Sequence, residues 1–328
     1  MKAYFNMGRY QGCNYVRCLL PLTYGGWDGD YTSVAGNRIS RKQAVAGMLD
    51  TDVVVMHRPF EKERKEVFNA LKQAGKKLIF ENDDTYIDEK QNFGVGELAK
   101  KVNEELMWFV KNSDLVTCTT EFLAEEYRKY NPNVVVLPNC VDPDDFPFPK
   151  KNKSNKVRLG LIGSVVGTND FDHIQGVLEK LSKRDDVQLV VLSDKPNDGK
   201  FFDTINVEWH NPVEMKDYFD TLNELKLDIM LIPRREGYFN KCKSNIKFLE
   251  ASMLRIPCIT DDWQNNPYTA DSDYLVMTHD WEKDLNELIA NKEMRIEIGK
   301  QAKKYVLANY TIQDNIYKWE EVYNKLLC

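Results

Sequence analysis

The amino-acid sequence predicts an α/β protein made of two doubly wound parallel sheets, and three observations carry that expectation. Short β-branched apolar runs alternate with helical patterns along most of the chain. Runs such as Val53-Val54-Val55 and Ile229-Met230-Leu231-Ile232 are continuous rather than alternating, as strands buried on both faces require. Between Pro143 and Lys156 the chain turns proline- and lysine-rich with no apolar period, and the alternation then starts again. The expected organisation is residues 1–150 as a first domain with a linker over 143–156, residues 151–309 as a second, and residues 310–328 as a helical tail.

In the first half, Lys2–Asn6 reads as a strand, followed by a loop carrying Gly8, Arg9 and Gly12. A helix through Tyr15, Val16, Leu19 and Leu20 is expected to stop near Pro21. A glycine-bearing loop between a first strand and a helix is where open α/β sheets bind ligands, although Gly8 and Gly12 do not make a GxGxxG fingerprint. Asp52–Met56 is a buried-type strand, then comes a helix from about Glu61 to Ala74, capped by Gly75. Lys77–Glu81 is the next strand, and at its carboxyl end Glu81, Asp83 and Asp84 form an acidic cluster denser than turn chemistry needs. Helical periodicity over Gly96–Asn112, a strand at Leu115–Thr119, a helix over Glu121–Tyr130 and a strand at Val134–Leu137 complete the half.

The second half opens with the strand Val157–Gly163 and a loop beginning at Gly163 and Ser164, then a helix over Phe171–Lys183. Strands follow at Val187–Leu192, Ile205–Trp209 and Asp228–Pro233, with a helix over Glu214–Leu225. Arg234 and Arg235 sit directly after the last of these strands, where paired guanidinium groups suit either a phosphate clamp or an exposed turn. The segment Tyr238–Thr260 then reads as loop, helix, turn and strand. Ser244 is a candidate N-cap, with Asn245 beside it, and Lys243 and Lys247 lie one turn apart near the positive end of the helix. Unpaired N–H groups beside two ammonium groups suit a diphosphate, with Glu250 two turns in suited to sugar or ribose hydroxyls. The same residues would also suit a solvated basic face. A strand at Tyr274–Val276, helices at Asp280–Ala290 and Glu293–Asn309, and an amphipathic helix over Ile312–Leu327 close the chain.

Composition narrows the class. With 328 residues, 42% hydrophobic and 29% charged, the chain resembles a soluble globular protein with room for two cores. A net charge of −6 excludes a surface that is basic throughout, and so disfavours strong duplex binding, while leaving a local basic groove open. No apolar run has the length of a membrane span, and Met1–Arg9 turns polar too soon for a secretory signal. Seven scattered cysteines imply reduced, mostly buried thiols and a cytoplasmic protein; Cys13 and Cys18 are close, but nothing completes a zinc site.

Several stretches resemble one enzyme family. Leu137-Pro138-Asn139-Cys140-Val141-Asp142 resembles the signature that ends the N-terminal domain of retaining, glycogen-synthase-like glycosyltransferases (family four). Leu159–Ser164 is similar to the opening strand and loop of their donor domain. Lys243-Ser244-Asn245-Ile246-Lys247-Phe248-Leu249-Glu250-Ala251, followed by Ile256-Pro257-Cys258-Ile259, resembles the donor motif of divergent branches, and Phe80–Asp84 resembles their acidic strand end. The resemblance covers nearly the whole chain and implies the GT-B fold, two Rossmann-like domains facing across a cleft, with the tail helix packing back on the first.

It also implies transfer of a sugar from a UDP- or GDP-type nucleotide sugar to a hydroxyl acceptor with retention, without a cofactor or metal. Gly163, Ser164, Arg234, Lys243, Ser244, Asn245, Lys247 and Glu250 would hold the donor, and Gly8, Arg9, Gly12 and Asp84 the acceptor side. Glu81, Asp83 and Lys243 would be catalytic, with His173 a lesser candidate. The sequence departs from the family where Cys242 stands at the first glutamate of its paired-glutamate motif. The acceptor is expected to be a carbohydrate, a lipid-linked group or another hydroxyl, with a DNA base less expected, and a lipid acceptor would place the protein peripherally at a membrane. Two other classes compete. An epimerase-like enzyme would alter a nucleotide sugar without an acceptor, and a binding module would hold the nucleotide without turnover.

Overall fold

The structure is a computed structural model in which residues 1–7, 12–33, 40–59, 62–85, 96–163, 170–194 and 200–328 are described. The first half contributes β1 (Lys2–Met7), β2 (Asp28–Ser33), β3 (Val53–His57), β4 (Lys77–Asn82), β5 (Leu115–Cys118) and β6 (Val134–Val136). They form one parallel sheet in the order β2-β1-β3-β4-β5-β6. The second half contributes β7 (Val157–Ile162), β8 (Val187–Leu192), β9 (Val207–His210), β10 (Ile229–Ile232), β11 (Cys258–Asp261) and β12 (Val276–Thr278). Their order is β12-β11-β10-β7-β8-β9, again all parallel.

Parallel strands need a crossover between neighbours, so both faces of each sheet are covered by helices and both must be apolar. The side chains divide accordingly. Ala3, Phe5, Val53, Val55 and Ile79 enter one cluster of the first sheet, while Tyr4, Val54, Met56, Leu78 and Phe80 enter the other. In the second sheet Leu159, Leu161, Leu189 and Val191 face one side and Val190, Leu192, Met230 and Ile232 the other. In each half the strand order reverses beside the first strand: β1 lies between β2 and β3, and β7 between β8 and β10. Helices leave opposite faces at such a point, opening a crevice at the carboxyl ends of the strands.

Several elements differ from the sequence expectation. The helix near Tyr15 does not stop at Pro21. A wide turn over Tyr15–Leu19, closed by Leu20 N–H to Tyr15 O, leads into a further segment over Leu20–Tyr24. Pro21 stands in its first turn, where a missing N–H costs no helical hydrogen bond. Strand β2 occupies a stretch that reads as a polar loop, and the helix Arg41–Leu49 has no counterpart in the sequence expectation. The expected strand at Tyr274 starts only at Val276, because Thr269–Tyr274 coils into 3₁₀ turns around the buried Asp271. The tail is two helices, Ile312–Asn315 and Tyr317–Leu327.

The tail closes the first half. Trp319 and Tyr323 are fully buried in the cluster with Phe5, Val53 and Ile79. The outgoing and returning segments meet at Val141 and Thr311, where Val141 N–H donates to Tyr310 O and Ile312 N–H to Val141 O, both at 2.9 Å. All seven cysteines are free and five of them are buried.

Candidate active site

The carboxyl ends of both sheets open onto one cavity of about 380 Å³. From the first half it is lined by Gly12 and Cys13 beyond β1, Arg58 beyond β3, and Asp83 and Asp84 beyond β4. From the second it takes Gly163 at the end of β7, Asp170, Arg234 beyond β10, and Lys243, Ser244, Ile246 and Lys247. These are the two crevices that the strand orders create, facing one another.

On the donor-domain side the Ile246–Met253 helix points its N-terminus at the cavity. The sequence favours Ser244 as the cap, but the N-cap residue is Asn245, and no side chain caps the helix. Asn245 Nδ2 instead donates to Asp271 Oδ2 at 2.7 Å, and Tyr310 donates to Oδ1 of the same carboxylate at 3.0 Å. Ser244 Oγ meets Asn139 Nδ2 of the other half at 2.7 Å. The first N–H groups of the helix are thereby left without a side-chain acceptor, the arrangement that suits an oxyanion.

Lys247 lies one turn in. Its Nζ is 2.9 Å from Tyr218 Oη and 3.0 Å from Glu250 Oε2, and Tyr218 donates to the same carboxylate at 2.8 Å. Burial opposes the ammonium charge, but Glu250 and Tyr218 outweigh it and hold the Lys247 pKa above its ordinary value. Lys247 packs against Gly163, whose φ of +99° belongs to glycine and whose position would set a Cβ 3.3 Å from Lys247 Cε. Gly163 and Tyr218 also line a neighbouring pocket of about 190 Å³ with Ser193, Asp194 and Val213. Arg234 donates from Nη1 to Asp170 Oδ2 at 2.7 Å, and Asp170 accepts a second bond, from Asn240, at 2.6 Å.

On the opposite wall Arg58 binds Asp83 through Nε at 2.8 Å and Nη2 at 2.6 Å, and His57 Nε2 approaches the same carboxylate at 3.3 Å. Burial would raise the Asp83 carboxyl, but the Arg58 charge and the His57 contact hold it well below the usual range. Arg58 adopts a φ of +44°, a left-handed conformation that aims the side chain inward at a steric cost. Lys243 Nζ reaches across the cleft to Asp84 Oδ2 at 2.7 Å, with Nζ 4.0 Å from the Phe239 ring centroid.

The cavity brings together Asp83, Asp84, Gly12, Gly163, Arg234, Lys243, Ser244 and Lys247 among the expected residues. Glu250 stands behind Lys247, and Asn245 holds the helix start. Gly8, Arg9 and Ser164 lie outside the described residues, as does Tyr86. Glu81 is not at the cavity. Its side chain is fully buried and saturated by Arg17 Nε (2.8 Å), Arg17 Nη2 (3.0 Å) and Thr117 Oγ1 (2.6 Å), which removes it from contact with any substrate. Arg17 in turn donates to Leu137 O at 2.6 Å and Asn139 Oδ1 at 3.2 Å, so the pair supports the residue that meets Ser244. His173 lies in a separate depression, bonded to Asp261 at 2.8 Å.

Cys242 is completely buried, and it packs into the core of the first half with Leu123, Ala124 and Tyr127. The segment Tyr238–Cys242 docks on the Glu121–Arg128 helix, with Tyr238 edge-on to Phe122. A glutamate at position 242 would bury an unpaired charge there. Arg58, Asp170 and Tyr218 escape the sequence reading. Arg58 carries the signal that marks Arg234, a cation directly after a continuous apolar strand.

The comparisons agree with this geometry. Residues 174–321 match the family described as glycosyl transferase-like. The fold is that of the GT-B enzymes. WaaG, a glycosyltransferase involved in lipopolysaccharide biosynthesis, superposes with a TM-score of 0.65 at 14% identity, covering 98% of this chain and 99% of its own. A glycosyltransferase from Rickettsia africae ESF-5 gives 0.65 at 14%, covering 99% and 98%. TarM gives 0.62 at 14% over 86% of this chain, which spans 58% of TarM's length. No curated protein matches the chain by sequence. Among the described residues no helix is long and apolar enough to cross a membrane, and no three metal-ligating side chains converge on a common point.

Proposed function

We propose that the protein transfers a sugar from a nucleoside-diphosphate sugar to an acceptor hydroxyl in this cleft, with retention of anomeric configuration. The observation that carries the reading is the uncapped helix start at Ile246, with Lys243, Lys247 and Arg234 around it, opposite the acidic end of β4. These groups neutralise the departing diphosphate without calling on a metal ion. Glu250 and Tyr218 take the ribose, and the pocket between Gly163 and Val213 takes the base of a UDP-type donor. TarM of S. aureus has been crystallised with UDP, which supports that choice of nucleotide.

Asp83 is held ionised by Arg58 and is therefore a weak base, so its role is to orient the acceptor. The bond from the anomeric carbon to the diphosphate oxygen breaks as the bond to the acceptor oxygen forms on the same face. The hydroxyl proton passes to the leaving diphosphate oxygen. The acceptor is a carbohydrate or lipid-linked hydroxyl, held between the ends of β1, β3 and β4.

The test is a thermal-shift and turnover screen against nucleoside diphosphates and their sugars, with Lys247→Met and Glu250→Ala beside the wild type. Stabilisation by one diphosphate, lost in both variants, with slow donor hydrolysis is the expected result. An altered sugar still attached to nucleotide would favour the epimerase reading instead. Absence of any nucleotide effect would sink the donor site altogether.

A further inference from the structure

Around the cavity every cation that the donor site relies on already has a carboxylate. Lys243 is paired with Asp84, Lys247 with Glu250 and Arg234 with Asp170, and Arg58 on the far wall is paired with Asp83. A dianionic diphosphate entering this balanced site must take a cation from one of those partners. The pairs are not equally easy to part. Arg58 grips Asp83 through two nitrogens with His57 behind it, Asp170 is also held by Asn240, and Glu250 shares Lys247 with Tyr218. Lys243 meets Asp84 at one nitrogen–oxygen contact, and this pair alone of the four joins the two halves. The Phe239 face stays under the ammonium if the carboxylate withdraws, so the lysine is not stranded. Asp84 likewise keeps the Thr85 N–H at 3.0 Å and Arg58 at 3.5 Å.

We infer that Asp84 and the donor's diphosphate compete for Lys243, so that donor entry hands the lysine to the phosphates and releases the Asp84 carboxylate into the acceptor side of the cleft. The reading rests on the proposed donor site and adds an order to it. Until the donor is bound, Asp84 is occupied by a residue of the opposite half. Acceptor contacts at the end of β4 are completed only afterwards. Competition also sets a specificity. Ligands without phosphates do not displace Asp84 and gain nothing from its absence.

The experiment is calorimetric titration of UDP, GDP and uridine into the wild type, Asp84→Asn, Lys243→Met and the double variant. The amide oxygen in Asp84→Asn still accepts from the Thr85 N–H; Asp84→Ser is the second choice if the first variant melts early. Removing the competitor is expected to tighten diphosphate binding roughly fivefold to tenfold, the scale of one partly screened ion pair. Lys243→Met weakens it, and in that background the gain from Asp84→Asn disappears. Uridine is bound equally by wild type and Asp84→Asn. A gain that persists without Lys243, or diphosphate affinity unchanged or reduced in properly folded Asp84→Asn and Asp84→Ser, would overturn the exchange while leaving the donor site standing. Failure of the wild type to bind either diphosphate would overturn both.

Discussion

Glu81→Gln separates a structural carboxylate from a catalytic one. In the folded protein Glu81 and Arg17 are both fully buried and joined by two hydrogen bonds of 2.8 and 3.0 Å, with Thr117 as a third donor to the carboxylate. The amide has the right shape but no charge, and one end of it would present N–H groups to donors. Arg17 would be left as a buried cation with only Leu137 O and the Asn139 amide oxygen to face. Removing one partner of such a pair costs about 3 to 5 kcal/mol. For a chain of this size that corresponds to a melting temperature lower by roughly 6 to 15 °C. Differential scanning calorimetry and urea titration measure it. Replacing both partners at once, Arg17→Met with Glu81→Leu, should recover a large part of the loss, because no charge remains to be solvated. If Glu81→Gln melted with the wild type and turnover vanished, Glu81 would be a participant in the chemistry and its placement here would be refuted.

Two further outcomes follow from the same geometry. Gly163→Ala forces a side chain onto a φ of +99° and a Cβ to within 3.3 Å of Lys247 Cε, so it should lower stability by about 1 to 2 kcal/mol and weaken diphosphate binding, measured by melting and titration together. Asp83 has a folded-state pKa well below its ordinary 3.8, so its contribution to stability is complete above that value and is lost as the pH falls below it. The gap in melting temperature between wild type and Asp83→Asn should therefore be steady near neutrality and shrink below about pH 4.

The fold was legible because parallel strands covered on both faces leave continuous apolar runs, and β3, β8 and β10 are of that kind. Strand β2 was not, since Asp28, Gly29 and Asp30 read as a turn. They are held as an edge strand by the β1 ladder, with little burial to mark the sequence. Arg41–Leu49 escaped for a related reason, having little amphipathic contrast along it. In the site, Lys243, Lys247 and Arg234 could be found because a cation after a strand or beside a helix start is a local pattern. Glu81 and Asp83 looked alike at that level. What separates them is whether the partner is Arg17, 64 residues earlier and deep in the sheet, or Arg58 at the rim, and sequence spacing carries no trace of that. Cys242 is the converse case: a departure from the family pattern that became intelligible once the core of the opposite half was seen to receive it.

The return of the tail to the first sheet has a consequence for synthesis on the ribosome. Residues 1–136 emerge first, yet the cluster around Phe5, Val53 and Ile79 lacks Trp319 and Tyr323 until the last turns of the chain are made. The second half, closed on itself from β7 to β12, can finish folding while the older half still exposes the groove that those two aromatic rings will fill. The chain thus matures from its middle outward, and the cleft acquires its first wall last.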